Sequence, residues 1–196
     1  MDGLDADAEG VKHVSPGQRP GESVEYETSQ PCRGRNNHRD KLGVVTMPQS
    51  LAKNTVHLVF STKNRFPWLK ESLRPRLYAY LAGIFEKWES PAIVIGGHDD
   101  HVHALFLLSK NHPLKRIVEE AKKGSSKWIK SLATELAEFS WQNGYGAFSV
   151  SESNVAEVRK YIEHQDDHHR RMTFQDELRQ LCARHKIAVD ERFVWS

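Results

Sequence analysis

What most constrains this chain is the order in which strand-like and helix-like apolar patterns follow one another. In residues 55–62, Val56, Leu58 and Phe60 alternate with His57, Val59 and Ser61, and Pro67 follows shortly after, which is the pattern of a strand running into a loop. Pro75 then fits the first turn of a helix whose stripe is Leu77, Leu81, Ile84, Phe85 and Trp88. Residues 92–95 are a short β-branched run, 96–100 are turn residues, and 101–108 form a second apolar run, so the three segments read as a hairpin. After Pro113, the positions Leu114, Ile117, Val118, Ala121, Trp128, Ile129 and Leu132 share one side of a helical wheel, with Lys115, Arg116, Lys122, Lys123 and Lys130 on the other. A loop at 141–146, a fourth strand at 147–150, a third helix from 154 to about 170 and a fourth over 174–185 complete the series.

Strand, helix, strand, strand, helix, strand is the split βαβ order. The expected class is therefore α+β: a ferredoxin-like antiparallel sheet with helices packed on one face, and an appended C-terminal helix carrying Tyr161. Many unrelated activities use that fold, so it names none of them.

Residues 1–46 break the pattern. Gly, Pro, Ser and charged residues dominate there, no apolar period can be drawn, and the segment reads as a disordered leader, with 47–196 as the folded domain. An upstream start codon would produce such a leader, and a regulatory tail is the other reading. The leader holds 8 acidic and 6 basic residues of the chain's 26 and 28, which leaves 18 and 22 and a net charge of +4 on the remainder. That mild excess is far from the polybasic composition that would by itself announce a nucleic-acid binder. Cys32 and Cys182 have neither metal-ligand spacing nor the density of a disulfide scaffold, which suits a reducing compartment. No apolar run approaches the roughly 18 residues of a membrane span, and the acidic N-terminus lacks the pattern of a signal peptide. The expectation is a cytoplasmic protein with no membrane partner and, lacking a G-x-x-x-x-G-K loop, no nucleotide cofactor.

Two short patterns carry chemistry. In His101-Val102-His103 the alternation of a strand puts both imidazoles on one side and Val102 on the other, a natural divalent-cation pair or, equally, two solvent-facing strand positions. On the third helix, Asn154 with Glu157 suits a cap, Val155, Val158 and Ile162 form the buried stripe, and Tyr161, Gln165 and His168 recur on an adjacent face. Tyr161 and Gln165 thus point the same way one turn apart. A tyrosine there is either a packing residue with a wet hydroxyl or a reactive one.

Taken together, Asp100-His101-Val102-His103, then Trp141-Gln142-x-Gly144-Tyr145-Gly146, then Tyr161-Ile162-x-x-Gln165 followed by His168-His169 resemble the single-tyrosine HUH transposases of bacterial insertion sequences and their REP-associated relatives. The likeness runs from about Met47 to the C-terminus. It implies Mg²⁺ or Mn²⁺ held by His101, His103 and Gln165, and Tyr161 as the nucleophile on a phosphodiester. It also implies a hairpin in single-stranded DNA as partner, a homodimer, and a bacterial protein that joins the nucleoid when bound to DNA. Strand joining through a phosphotyrosine conserves the bond and needs no ATP. His164 or His168 could accept the phenol's proton, although both also suit solvated helix positions. Lys122, Lys123, Lys127 and Lys130 could track phosphates or could simply be solvated. Two other classes share parts of the pattern. One is a non-catalytic RNA-recognition-like binder of single-stranded nucleic acid using Phe60 and Phe106 as a stacking platform; the other is a metal-dependent nuclease that activates water and forms no covalent intermediate, and within the resemblance itself a domesticated REP-hairpin-processing nuclease is the alternative to a mobile transposase.

Overall fold

The computed structural model describes residues 51–191, so the leader expected at 1–46 lies outside the described residues. Its elements are β1 (Asn54–Ser61), α1 (Arg74–Lys87), β2 (Ala92–Gly97), β3 (His101–Leu108), α2 (Leu114–Lys130), β4 (Gly146–Val150), α3 (Val155–Glu163), α4 (Gln165–His169) and α5 (Phe174–Arg184). The four strands form one antiparallel sheet in the order β2-β3-β1-β4, the split βαβ topology. Among the described residues no helix is long and apolar enough to cross a membrane.

Alternation divides the sheet into two faces. Val56, Leu58 and Phe60 of β1 and Val102, Ala104 and Phe106 of β3 pack with Leu77, Leu81 and Phe85 of α1 and Ile117, Ala121 and Ile129 of α2 into the main core. Phe106 lies 4.7 Å from the Phe85 ring, and Phe60 lies 4.7 Å from Trp141. Both phenylalanines are buried beneath helices, so they offer no open platform on which bases could stack.

The opposite face is covered as well, which differs from the expected one-sided arrangement. Val59 and Phe148 pack there with Phe174, Leu181 and Cys182 of α5 in a second, smaller core. The cause is legible on β3, where Leu105 follows His101 and His103 on that side and all three are fully buried. A strand apolar on both sides needs cover on both.

The helix expected from 154 to about 170 is two helices. At His164 the backbone turns to φ −109°, ψ 28°, ending α3 and starting α4 with Gln165. The break leaves Gln165 buried at 2% exposure, where its amide bonds to two side chains replace regular helical continuity. α3 itself presses on β2 at Gly96: a methyl group there would lie 2.4 Å from the Ile162 carbonyl oxygen. Only glycine admits that approach.

Candidate metal centre and tyrosine site

The register of β1 against β3 pairs Val59 with His103 and Ser61 with His101, so both imidazoles emerge on the α5 side of an inner strand. Each ring is held from behind. Nδ1 of His101 lies 2.6 Å from Oδ1 of Asp100, and a carboxylate can only accept there, so the hydrogen is on Nδ1 and Nε2 is turned inward. Nδ1 of His103 lies 2.9 Å from Nε2 of His57. His57 is buried and its pKa is pushed down to about 3, chiefly by loss of solvent and then by His103 beside it. This contact ties down His103 Nδ1 and turns His103 Nε2 toward the same centre. Burial likewise depresses the pKa of His103, which keeps it in the neutral form a ligand needs.

The centre they face holds Glu177 of α5, 2% exposed. Its Oε1 lies 3.3 Å from His103 Nε2 and its Oε2 lies 3.7 Å from His101 Nε2. The hydroxyl of Tyr161 and, at 3.0 Å, the amide N–H of Gln165 both donate to Oε1. Gln165 Oε1 is 3.3 Å from His101 Nε2 and 2.9 Å from His169 Nε2. Burial alone would raise the Glu177 pKa, but the imidazoles of His103, His169 and His101 packed around the carboxyl outweigh it and hold it well below the usual range. Burial also favours neutral His169, yet the same carboxylate raises its pKa. Tyr161 is shifted far above an ordinary phenol, first by burial and then by the Glu177 charge.

His101, His103, Tyr161, Gln165 and His168 are thus brought together, with the His168 ring 5.2 Å from that of Tyr161. His164 is not among them: it is exposed, and its Nδ1 contacts the Lys160 carbonyl oxygen at 2.7 Å. Tyr161 packs against histidines of its own chain, 5.9 Å from His103 and 6.2 Å from His57 by ring centres. Among the described residues, the buried atoms His103 Nε2, His168 Nε2 and Glu177 Oε2 have no hydrogen-bond partner. His101, His103 and Glu177 offer ligand atoms within 4.8 Å of one another, as do His168, His169 and Glu177.

Residues 50–165 match the family described as "Transposase IS200 like", which is more than half of the chain. The chain belongs to that family. The match ends at Gln165, with His101, His103 and Tyr161 inside it and Glu177 outside. Among solved structures, this transposase is similar to a candidate transposase of Deinococcus radiodurans R1, with 23% identity, TM-score 0.49, and coverage of 61% of this chain and 95% of that one. It is also similar to a REP-associated tyrosine transposase bound to a REP hairpin, with 14% identity, TM-score 0.48, and coverage of 63% and 73%. No curated protein matches the sequence.

The lysines fall on the other side of the sheet. Lys123, Lys127 and Lys130 are exposed on α2. Lys122 instead donates from Nζ to the carbonyl oxygens of Gln142 and Gly144, each at 2.6 Å, and lies over the Phe60 ring. It staples the 141–146 loop, which Trp141 Nε1 anchors again by donating to Ser125 Oγ at 2.9 Å.

The pattern search missed Glu177 and His57. Both carried a signal: Glu177 is a carboxylate set on the Phe174, Leu178, Leu181 stripe of an amphipathic helix, and His57 shares the inward face of β1 with Val59.

Proposed function

We propose that this transposase cuts and rejoins single-stranded DNA through a covalent bond to Tyr161. A divalent cation, Mg²⁺ or Mn²⁺, sits at His101 and His103, with Gln165 the further ligand that the family resemblance assigns. The observation that carries the reading is the convergence, in one buried cluster, of the Tyr161 hydroxyl and the inward Nε2 atoms of two tethered imidazoles. The residues suit a cation: buried His103 Nε2 and Glu177 Oε2 lack partners, and neutral imidazole with oxygen donors is chemistry that binds first-row and alkaline-earth dications.

When bound, the cation supplies positive charge at a nonbridging phosphate oxygen, which lowers the repulsion an incoming nucleophile meets. The chain supplies the rest. Tyr161 Oη attacks phosphorus, an Oη–P bond forms, the P–O3′ bond breaks, and the phenol loses its proton while the departing 3′ oxygen gains one. The products are a 5′-phosphotyrosine and a free 3′-hydroxyl, and the reverse attack by a 3′-hydroxyl rejoins strands. Of the two histidines considered as proton acceptor, His168 is the one beside Tyr161, and burial keeps it neutral and able to accept. A hairpin-marked single strand is the substrate and a homodimer the assembly that the resemblance implies.

The test is an adduct assay. Wild-type protein with Mn²⁺ and single-stranded hairpin DNA should give a complex that survives denaturing electrophoresis, and Tyr161→Phe should give none. Cleavage without an adduct would establish a water-activating nuclease instead. An adduct kept by Tyr161→Phe would move the nucleophile elsewhere, with exposed Tyr145 next to be tried.

A further inference from the structure

Gln165 is occupied at both ends. Its Nε2 donates to Glu177 Oε1 at 3.0 Å, and its Oε1 accepts from His169 Nε2 at 2.9 Å. Glu177 Oε2, by contrast, is buried and accepts no hydrogen bond, its neighbours being His169 Nε2 at 3.3 Å and His101 Nε2 at 3.7 Å, and His103 Nε2 is likewise buried without a hydrogen bond. Bonds of about 2.1 Å meeting at octahedral or tetrahedral angles place neighbouring ligands about 3.0–3.4 Å apart. The carboxylate stands 3.3 Å from His103 Nε2 through Oε1 and 3.7 Å from His101 Nε2 through Oε2, at or a little beyond that spacing without any cation to draw the groups in.

We infer that Glu177, on α5 and beyond the family-matched residues, is a further protein ligand of the cation beside His101, His103 and Gln165, its carboxylate held in place by the Gln165 amide N–H. This rests on the cation reading above. Charge favours it: a carboxylate offsets half of a dication's charge where an amide offsets none, and hard cations take carboxylate oxygen readily. The alternative triad of His168, His169 and Glu177 is disfavoured because both nitrogens of His169 face acceptors, Nδ1 the Met172 carbonyl at 2.9 Å and Nε2 the Gln165 oxygen. A ring donating from both nitrogens has no lone pair to give. Since Oε1 of the same carboxylate accepts from Tyr161, Glu177 also links the cation to the position of the nucleophile.

The experiment is Mn²⁺ titration calorimetry on the full chain without DNA. Glu177→Gln, nearly isosteric, should bind Mn²⁺ about a hundredfold more weakly, and Gln165→Ala only about tenfold, the size of a lost supporting contact. In Glu177→Cys the preference should swing from Mn²⁺ to Cd²⁺, since a thiolate is a soft ligand, and this would be read as thermal stabilisation by Cd²⁺ but not Mn²⁺. Glu177→Gln binding as tightly as wild type, the reverse order of the two losses, or an unchanged ion preference in Glu177→Cys would overturn the inference. His101→Ala separates the two levels. If it loses Mn²⁺ while Glu177→Gln does not, only the assignment of Glu177 is wrong; if wild type binds no Mn²⁺, the cation reading itself falls.

Discussion

Gly96→Ala probes the seam between the histidines and the tyrosine without altering either. The added Cβ would sit 2.4 Å from the Ile162 carbonyl oxygen and 2.9 Å from Ile162 Cγ2. The first neighbour is backbone and cannot rotate away, so α3 must lift by about 0.6–1.0 Å to restore ordinary contact. Overpacking of that size costs about 1–3 kcal/mol, which for a chain of this length lowers Tm by about 3–10 °C. Tyr161 precedes Ile162, so the lift is transmitted directly to its hydroxyl, and a misplacement near 1 Å can slow chemistry by about a hundredfold. His101 and His103 belong to β3 and stay put. Thermal melting, Mn²⁺ calorimetry and the rate of adduct formation should therefore separate: lower Tm, slow adduct, and Mn²⁺ affinity within about threefold of wild type. Gly83→Ala in α1, where nothing lies within 4 Å of the new methyl, serves as control and should gain up to about 1 kcal/mol. A Gly96→Ala protein that melts within a degree of wild type and forms adduct at the same rate would refute this account of how α3 meets the sheet.

Two further outcomes follow from other parts of the molecule. His57 has a folded pKa near 3 against an ordinary 6.5, so the unfolded chain binds the extra proton first as pH falls. Its contribution is complete above pH 6.5 and is lost towards pH 3, about 2 kcal/mol of it between pH 7 and 5; urea midpoints should therefore drop more steeply over that interval in wild type than in His57→Asn, and parallel slopes would contradict it. For the lysines, Lys122→Met should destabilise by about 1 kcal/mol, chiefly through the part-buried Gln142 carbonyl it leaves unpaired, since the Gly144 carbonyl is open to water. Lys123→Ala, Lys127→Ala and Lys130→Ala should each leave stability within about 0.5 kcal/mol. If α2 tracks phosphates, each exposed-lysine variant should also reduce the salt dependence of DNA binding by about one unit of slope, and no change in slope would remove α2 from the DNA interface.

Much of the fold was legible because its elements repeat cleanly. The two-residue period of β1 and β3 and the helical stripes of α1 and α2 carry the main core, and Leu77, Phe85, Ile117 and Ile129 are buried as their spacing requires. The break at His164 was not legible, since no Pro or Gly marks it. It goes with the tertiary bond between Gln165 and Glu177 of α5, which a window around the break does not contain. His101, His103, Tyr161 and Gln165 could be read because two short spacings bring them onto shared faces. Glu177 could not be assigned to their company, because its place depends on how α5 crosses the sheet, and in the sequence it is one of two adjacent acidic residues in the first turn of a helix, where acidic residues are ordinary.

Val102 separates the two histidines and is itself fully buried in the opposite core, clamped beneath α1 and α2. The distance between the imidazoles is therefore set by the packing of residues that never face them. Whatever docks at those two nitrogens finds their orientational entropy already spent in folding, so affinity there follows from what is gained on contact. Conversely, a cavity opened at Phe85 or Phe106, on the far side of the sheet, would register as looser binding at a place it does not touch.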